Sequence, residues 1–459
     1  MVYVPRALVV ILLVASLAGP SSAAPQAVQD QAPQAAQPSH TDKARALVGL
    51  LTSGDFAAAV ATFDATMTAA LPEEKLREFW TVVAGQAGAF QQIESAREEP
   101  RGAYTAVILR AAFAHIDADL TVVYDTAGAV AGFNIRPATP PPLSSPPYAD
   151  QSAFTEQDVT VGSGEWALPG TLAMPKGDGP FPAVVLVHGS GPNDRDETIG
   201  PNKPFRDLAH GLASRGIAVL RYDKRSKVHG AKMASDPGMT VAEESVDDAA
   251  IAVDLLAARA DIDAGRIFVL GHSLGAMLVP RIAAAAPGAR GFIAMAGPAR
   301  PIEQAMVEQT EYIVNLDGVV SPEEQARLDA MRELFARVRA LTPDEAGTNE
   351  LIGGAAAAYW LDLRGYDPPE AAKEVTRPML VLQGERDYQV TMAEFERWRA
   401  ALDAANHVTL KSYPSLNHLF MPGSGPGSPQ EYAVPGHVAE DVVRDIAEWI
   451  LDIAPIDIR

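Results

Sequence analysis

One junction constrains this chain more than any other. The apolar run at 267–270 leads without a spacer into Gly271-His272-Ser273-Leu274-Gly275, and residues 274–286 then follow a helical period. A short, continuously apolar run reads as a strand covered on both faces, so the junction is strand, tight turn, helix. Similar runs recur at 183–187, 217–220, 292–295, 379–382 and 408–412, with helical patterns between them. This alternation predicts an α/β fold from about residue 151 to 459: a mostly parallel sheet with helices on both faces. Thr240 with Glu243 predicts a capping box ahead of Val246, Ala250, Val253 and Leu256, and the last helix repeats at Val438, Val442, Ile446, Trp449 and Ile453. Residues 298–375 break the alternation. They read as a helical insertion without strands, with Ser321, Pro322 and Glu324 starting a helix that carries Leu328, Met331, Phe335 and Val338.

The chain ahead of this region divides by composition. Arg6, the apolar stretch 7–18, and then Gly19, Pro20, Ser21, Ser22 and Ala23 read as a signal peptide over 1–23, cut after Ala23. The expected location is secreted or periplasmic, and no later run is long enough to insert stably in a membrane. Residues 24–40, rich in Pro, Gln and Ala, read as a linker. Residues 41–136 predict a small α+β domain, with helical periods first and strands near 104–111, 120–124 and 130–135. Six prolines between 137 and 147 mark a second linker, 137–150, because proline sustains neither helix nor central strand.

The net charge of −21 argues against a nucleic-acid partner, which would need a basic face. Cysteine is absent, which excludes disulfides, thiolate metal sites and a cysteine nucleophile. The histidines have no metal-ligand spacing and no dinucleotide or phosphate loop is present, so neither a metal nor a cofactor is expected.

The junction carries the chemistry. A serine on a strained strand-to-helix turn projects its hydroxyl at a helix N-terminus, and glycines two positions either side allow close backbone approach. Ser273 is therefore the candidate nucleophile. It needs a base, and the base needs an orienting acid. Asp387, in the loop after the run 379–382, is the candidate acid, with Glu385 as competitor. His418, after the run 408–412, is the candidate base; His407 lies at the other end of that run and His437 falls too late. An oxyanion hole needs two backbone N–H groups. Leu274 supplies one, and Ser190, with Gly191 as alternative, the other, from the loop 188–196. His188 reads as a strut for that loop and His272 as a supporting residue. Asp194, Arg195 and Asp196 read as a local ion-pair cluster. Tyr359, Trp360, Tyr388 and Phe420 line an acyl pocket or belong to the core.

Together, His188–Asp196, Arg221-Tyr222-Asp223-Lys224-Arg225, the Gly271–Gly275 motif, the loop 384–387 and Asn417-His418 resemble the α/β-hydrolase superfamily. Within it the chain is similar to secreted bacterial carboxylesterases with a small N-terminal domain of unknown function. Ser226 stands where such proteins usually carry glycine, so the 221–225 stretch receives no substrate role. The small domain resembles the α+β fold of nuclear transport factor 2 relatives, which often pair, and this raises a homodimer through it as an expectation. The activity implied is hydrolysis of small-molecule carboxylic esters of short to medium acyl chain through an acyl-enzyme. The alternatives are a serine peptidase or amidase of the same fold, and a non-catalytic binding protein.

Overall fold

A computed structural model describes residues 38–114, 116–138, 144–348 and 350–455. The expected signal peptide and nearly all of the linker 24–40 lie outside these residues. The chain divides into two compact units, one on each side of the proline-rich segment.

In the first unit four helices, His40–Ser53, Phe56–Val60, Ala65–Ala70 and Glu73–Ala87, precede four strands. The strands are β1 (Phe90–Arg101), β2 (Tyr104–Phe113), β3 (Asp117–Tyr124) and β4 (Val130–Pro137), an antiparallel sheet in that order. Ser39 and Asp42 cap the first helix reciprocally. Leu47, Leu51, Leu76 and Trp80 from the helices pack with Val107, Leu109, Leu120 and Val122 from the sheet. Strand β1 was not expected. It is an edge strand whose exposed side chains are largely polar or charged, a composition that guards an edge against further pairing and hides the strand from a hydrophobic pattern.

The second unit is built on an eight-stranded sheet. Its strands are β5 (Phe154–Val161), β6 (Leu168–Pro175), β7 (Phe181–Val187), β8 (Ala218–Tyr222), β9 (Ile262–His272), β10 (Gly291–Met295), β13 (Met379–Gly384) and β14 (Val408–Tyr413); two short strands, β11 (Leu351–Ile352) and β12 (Ala355–Ala356), stand apart as a hairpin. The sheet order is β14-β13-β10-β9-β7-β8-β6-β5. The six central and following strands, β14 to β8, run parallel, and β6 and β5 add antiparallel at one edge. Apolar clusters cover the two faces. Val185, Val269 and Val381 point into one, Val184, Leu270 and Leu382 into the other. Strands β8 and β9 flank β7 on opposite sides, so the chain direction across the sheet reverses there. In open α/β sheets ligands bind at the carboxyl ends of the strands beside such a reversal, here those of β7 and β9.

Three local expectations need correction. The helix expected over 274–286 is two pieces, Leu274–Met277 and Val279–Ala285, because Pro280 has no N–H to continue the ladder. The helix after Thr240 opens with a wider π turn, Ala242–Val246, before Asp247–Ala257. Glu243 reaches back to the Thr240 N–H, but the Thr240 hydroxyl accepts from Ala242 instead of Glu243. The segment 298–375 is largely helical, with Ile302–Val314 and the capped Pro322–Ala340, yet the β11–β12 hairpin interrupts it. Gly353 and Gly354, both at positive φ, supply the two-residue turn that such a hairpin requires.

Candidate active site

Strand β9 ends at His272, and Ser273 turns the chain at φ 53° and ψ −116°, a conformation costly for a residue with a side chain. Its N–H donates to the Met295 carbonyl at the end of β10, and its carbonyl receives Met277 N–H. The flanking glycines let the turn fit. A Cβ on Gly271 would stand 2.3 Å from the Gly275 carbonyl, and one on Gly275 would stand 2.3 Å from Val187 O and 2.8 Å from His188 O. A Cβ on Gly189 would lie 3.1 Å from that of Ser273, so the loop after β7 lies against the candidate nucleophile.

Asp387 and His418 meet from neighbouring strand ends. His418 Nδ1 donates to Asp387 Oδ2 at 2.6 Å, and both side chains are almost fully buried, each residue 4% exposed. A carboxylate oxygen accepts, so this contact fits the tautomer with the proton on Nδ1 and the lone pair on Nε2. Asp387 is itself held. Oδ1 accepts the N–H groups of Gln389 and Val390, and Oδ2 also accepts Gln383 Nε2 at 3.2 Å. The histidine loop is shaped by Asn417, whose Oδ1 accepts Leu419 N–H and Met421 N–H. The two loops approach through Gly384, where a Cβ would lie 2.5 Å from Leu416 O. The His418 ring lies 4.7 Å, centroid to centroid, from that of His272, the residue before Ser273.

Among the described residues, the N–H groups of Ser190, Gly191 and Leu274 have no protein acceptor. The Gly189 peptide beside them is fixed at both ends. Gly189 N–H donates to Glu197 Oε1 at 2.6 Å, and its carbonyl accepts Lys224 Nζ at 2.9 Å and Asn193 Nδ2 at 3.2 Å.

His272 is bound into the same frame. Its Nε2 donates to the His418 carbonyl at 2.9 Å, and its Nδ1 forms an ion pair with Glu197 Oε2 at 2.9 Å. Burial opposes both charges, but their mutual attraction prevails: the Glu197 carboxyl is held below its ordinary range and the His272 imidazole is raised. His188 differs. Burial pushes its pKa down to about 4, its Nε2 donates to the Asp194 carbonyl at 3.0 Å, and its ring packs with Phe205 and Tyr222. Arg195 pairs with Asp223, and Asp196 with Lys203 and Arg221, which ties the loop 188–197 down.

The competing residues lie elsewhere. Glu385 is exposed and accepts Ser412 Oγ. Arg386 pairs with Glu431, His407 donates to the Val375 carbonyl, and His437 pairs with Asp207. Tyr388 stacks with Tyr312 and Tyr432, Trp360 packs with Phe335, Phe420 packs with Tyr413, and Tyr359 donates to Glu244. Glu197 and Lys224 had no role in the sequence reading. They stand in strings of charged residues, and nothing local marks them as buried. Four residues other than glycine have positive φ among those described: Glu197, Ser273, Ala296 and Phe420. Each lies in a segment that follows the carboxyl end of a parallel strand, β7, β9, β10 or β14.

Residues 184–434 match the family described as "Alpha/beta hydrolase family". The chain belongs to the α/β-hydrolase family. Residues 44–133 match a second family, described as "Protein of unknown function (DUF3887)". The chain is 40% identical over 402 residues to Esterase EstD of Thermotoga maritima, spanning 87% of this chain and 93% of that protein. It is 27% identical over 242 residues to a monoacylglycerol lipase of Mycolicibacterium smegmatis, spanning 52% of this chain and 81% of the lipase. Among solved structures, Est1E from Butyrivibrio proteoclasticus aligns with 64% of this chain and 98% of its own, at 17% identity and a TM-score of 0.40.

Proposed function

We propose that this chain is a serine carboxylesterase that hydrolyses carboxylic esters of short to medium acyl chain. The observation that carries the reading is the buried Asp387–His418 pair at 2.6 Å, beside the strained turn at Ser273. Its relative at 40% identity is named an esterase. In the proposed cycle Ser273 Oγ attacks the acyl carbon while His418 Nε2 takes the hydroxyl proton. Asp387 holds the Nδ1–H tautomer and stabilises the imidazolium. The N–H groups of Leu274 and Ser190 receive the tetrahedral oxyanion. The imidazolium then protonates the leaving alcohol. Water, deprotonated by His418, attacks the acyl-enzyme and releases the acid and the free serine. The reading includes export, on the pattern of residues 1–23.

The test is the variant Ser273→Ala. With an unchanged circular dichroism spectrum it should lose turnover of a short-acyl p-nitrophenyl ester and lose covalent labelling by a fluorophosphonate. Near-normal turnover would refute the assignment. A panel of esters of graded acyl length, run on the wild type, reads the chain-length preference.

A further inference from the structure

We propose that Lys224 is a positioning residue of the oxyanion hole, holding the Ser190 N–H toward the oxygen that becomes negative in the transition state. The inference rests on the esterase reading above and goes beyond it, because it gives a role to a residue that never touches substrate.

Lys224 is 2% exposed. Burying an ammonium costs several kcal/mol unless it is paired and hydrogen-bonded, so its few partners define its purpose. Among the described residues its ammonium has two partners, one backbone carbonyl and one carboxylate. Nζ donates to the Gly189 carbonyl at 2.9 Å and lies 3.4 Å from Glu244 Oε2. Glu244 is buried as well, and burial alone would raise its carboxyl. The Lys224 charge and the hydroxyls of Ser226 and Tyr359 outweigh that and hold it ionised. Tyr359, from the helical insertion, donates to Glu244 Oε2 at 2.9 Å. A chain of contacts thus runs from the insertion through Glu244 and Lys224 to one backbone carbonyl.

The position of that carbonyl gives the contact its meaning. In a trans peptide the C=O and the N–H of the same plane point in opposite directions. Fixing Gly189 O therefore fixes the direction of Ser190 N–H, which has no acceptor among the described residues. The peptide lies against Ser273, since even a Cβ on Gly189 would approach that of Ser273 to 3.1 Å. Glu197 fixes the preceding N–H and Asn193 adds a second donor to Gly189 O, so the loop is set from both sides. A neutral donor would satisfy the carbonyl. An ammonium does more, because a cation on the oxygen polarises the amide and strengthens its N–H as a donor.

The test compares Lys224→Met, an unbranched side chain one atom shorter and without the charge, with the wild type. Concentrations are normalised to active sites titrated with a fluorophosphonate. Loss of one oxyanion donor costs on the order of 10²–10³ in kcat, and a donor misaligned but present should cost about 10–100-fold. The expected result is that loss in kcat, with KM within about twofold of wild type. Affinity for a trifluoromethyl ketone, which forms an anionic tetrahedral adduct, should fall by the same factor as kcat/KM.

Lys224→Met leaves Glu244 unpaired and risks misfolding. The double variant Lys224→Met/Glu244→Leu removes both charges, a change that buried ion pairs commonly tolerate. It should unfold near the wild-type temperature and show the same loss in kcat and in ketone affinity. If either folded variant keeps full kcat per active site and full ketone affinity, Lys224 is a structural residue only and this inference is overturned. A wild type that neither labels nor turns over ester overturns the esterase reading, and this inference with it.

Discussion

His188 makes an acid sensitivity of the fold calculable. Its imidazole is 1% exposed, and burial holds its pKa at about 4 against an ordinary 6.5. The unfolded chain therefore binds a proton at this site more readily than the folded one between pH 6.5 and 4. The contribution to stability is fully present above about pH 6.5 and is lost as pH falls toward 4. The whole effect amounts to about 3 kcal/mol, of which roughly 1 kcal/mol is gone by pH 5.5. The perturbation that isolates it is His188→Gln, whose amide can still donate to the Asp194 carbonyl but does not titrate. The variant gives up ring packing against Phe205 and Tyr222, so it starts less stable at pH 7.5. Urea unfolding followed by tryptophan fluorescence at pH 7.5, 6.5, 5.5 and 4.5 gives both curves. They should approach one another by roughly 1 kcal/mol between pH 7.5 and 5.5. Parallel curves would mean that His188 is not held neutral by burial and would refute the reasoning.

Two further outcomes follow from the geometry. Asp387→Asn should lower kcat on the order of 10⁴-fold in steady-state ester hydrolysis with the fold intact, because an amide donating to Nδ1 leaves the proton on Nε2, where a base is needed. Gly275→Ala should abolish soluble expression or cost more than about 3 kcal/mol in urea unfolding, since its Cβ meets backbone oxygens of Val187 and His188, whereas Gly85→Ala, on a helix with open space around it, should gain up to about 1 kcal/mol.

The central strands could be read from sequence because both their faces are buried, and burial on both sides writes itself as an unbroken apolar run. Strand β6 is buried, but Pro169, Gly170 and Thr171 break its apolar run, and β5 is hidden at the opposite limit. β5 reads Phe-Thr-Glu-Gln-Asp-Val-Thr-Val and shows solvent most of its length, so only pairing with β6 makes it a strand. The Gly353-Gly354 turn was visible as a dipeptide, but two residues on each side carry no period. The Ser273, Asp387 and His418 candidates could be named because each follows an apolar strand in the order this chemistry requires. Glu197 and Lys224 could not. Whether a charged side chain is buried depends on partners supplied by the fold: Lys224 meets a carbonyl 35 residues away, and Glu197, in the loop after β7, meets the imidazole that ends β9.

The four positive-φ residues Glu197, Ser273, Ala296 and Phe420 lie in segments that leave one rim of the sheet, the carboxyl ends of β7, β9, β10 and β14. Each bend costs on the order of 1–3 kcal/mol and persists only while its neighbours hold it. Strain of this kind predicts that on warming the rim relaxes into ordinary geometry before the strands beneath it unpair. Warming should silence the enzyme at a temperature where its secondary structure is still whole, and cooling should bring the activity back, because the intact sheet is the template on which the rim is bent again.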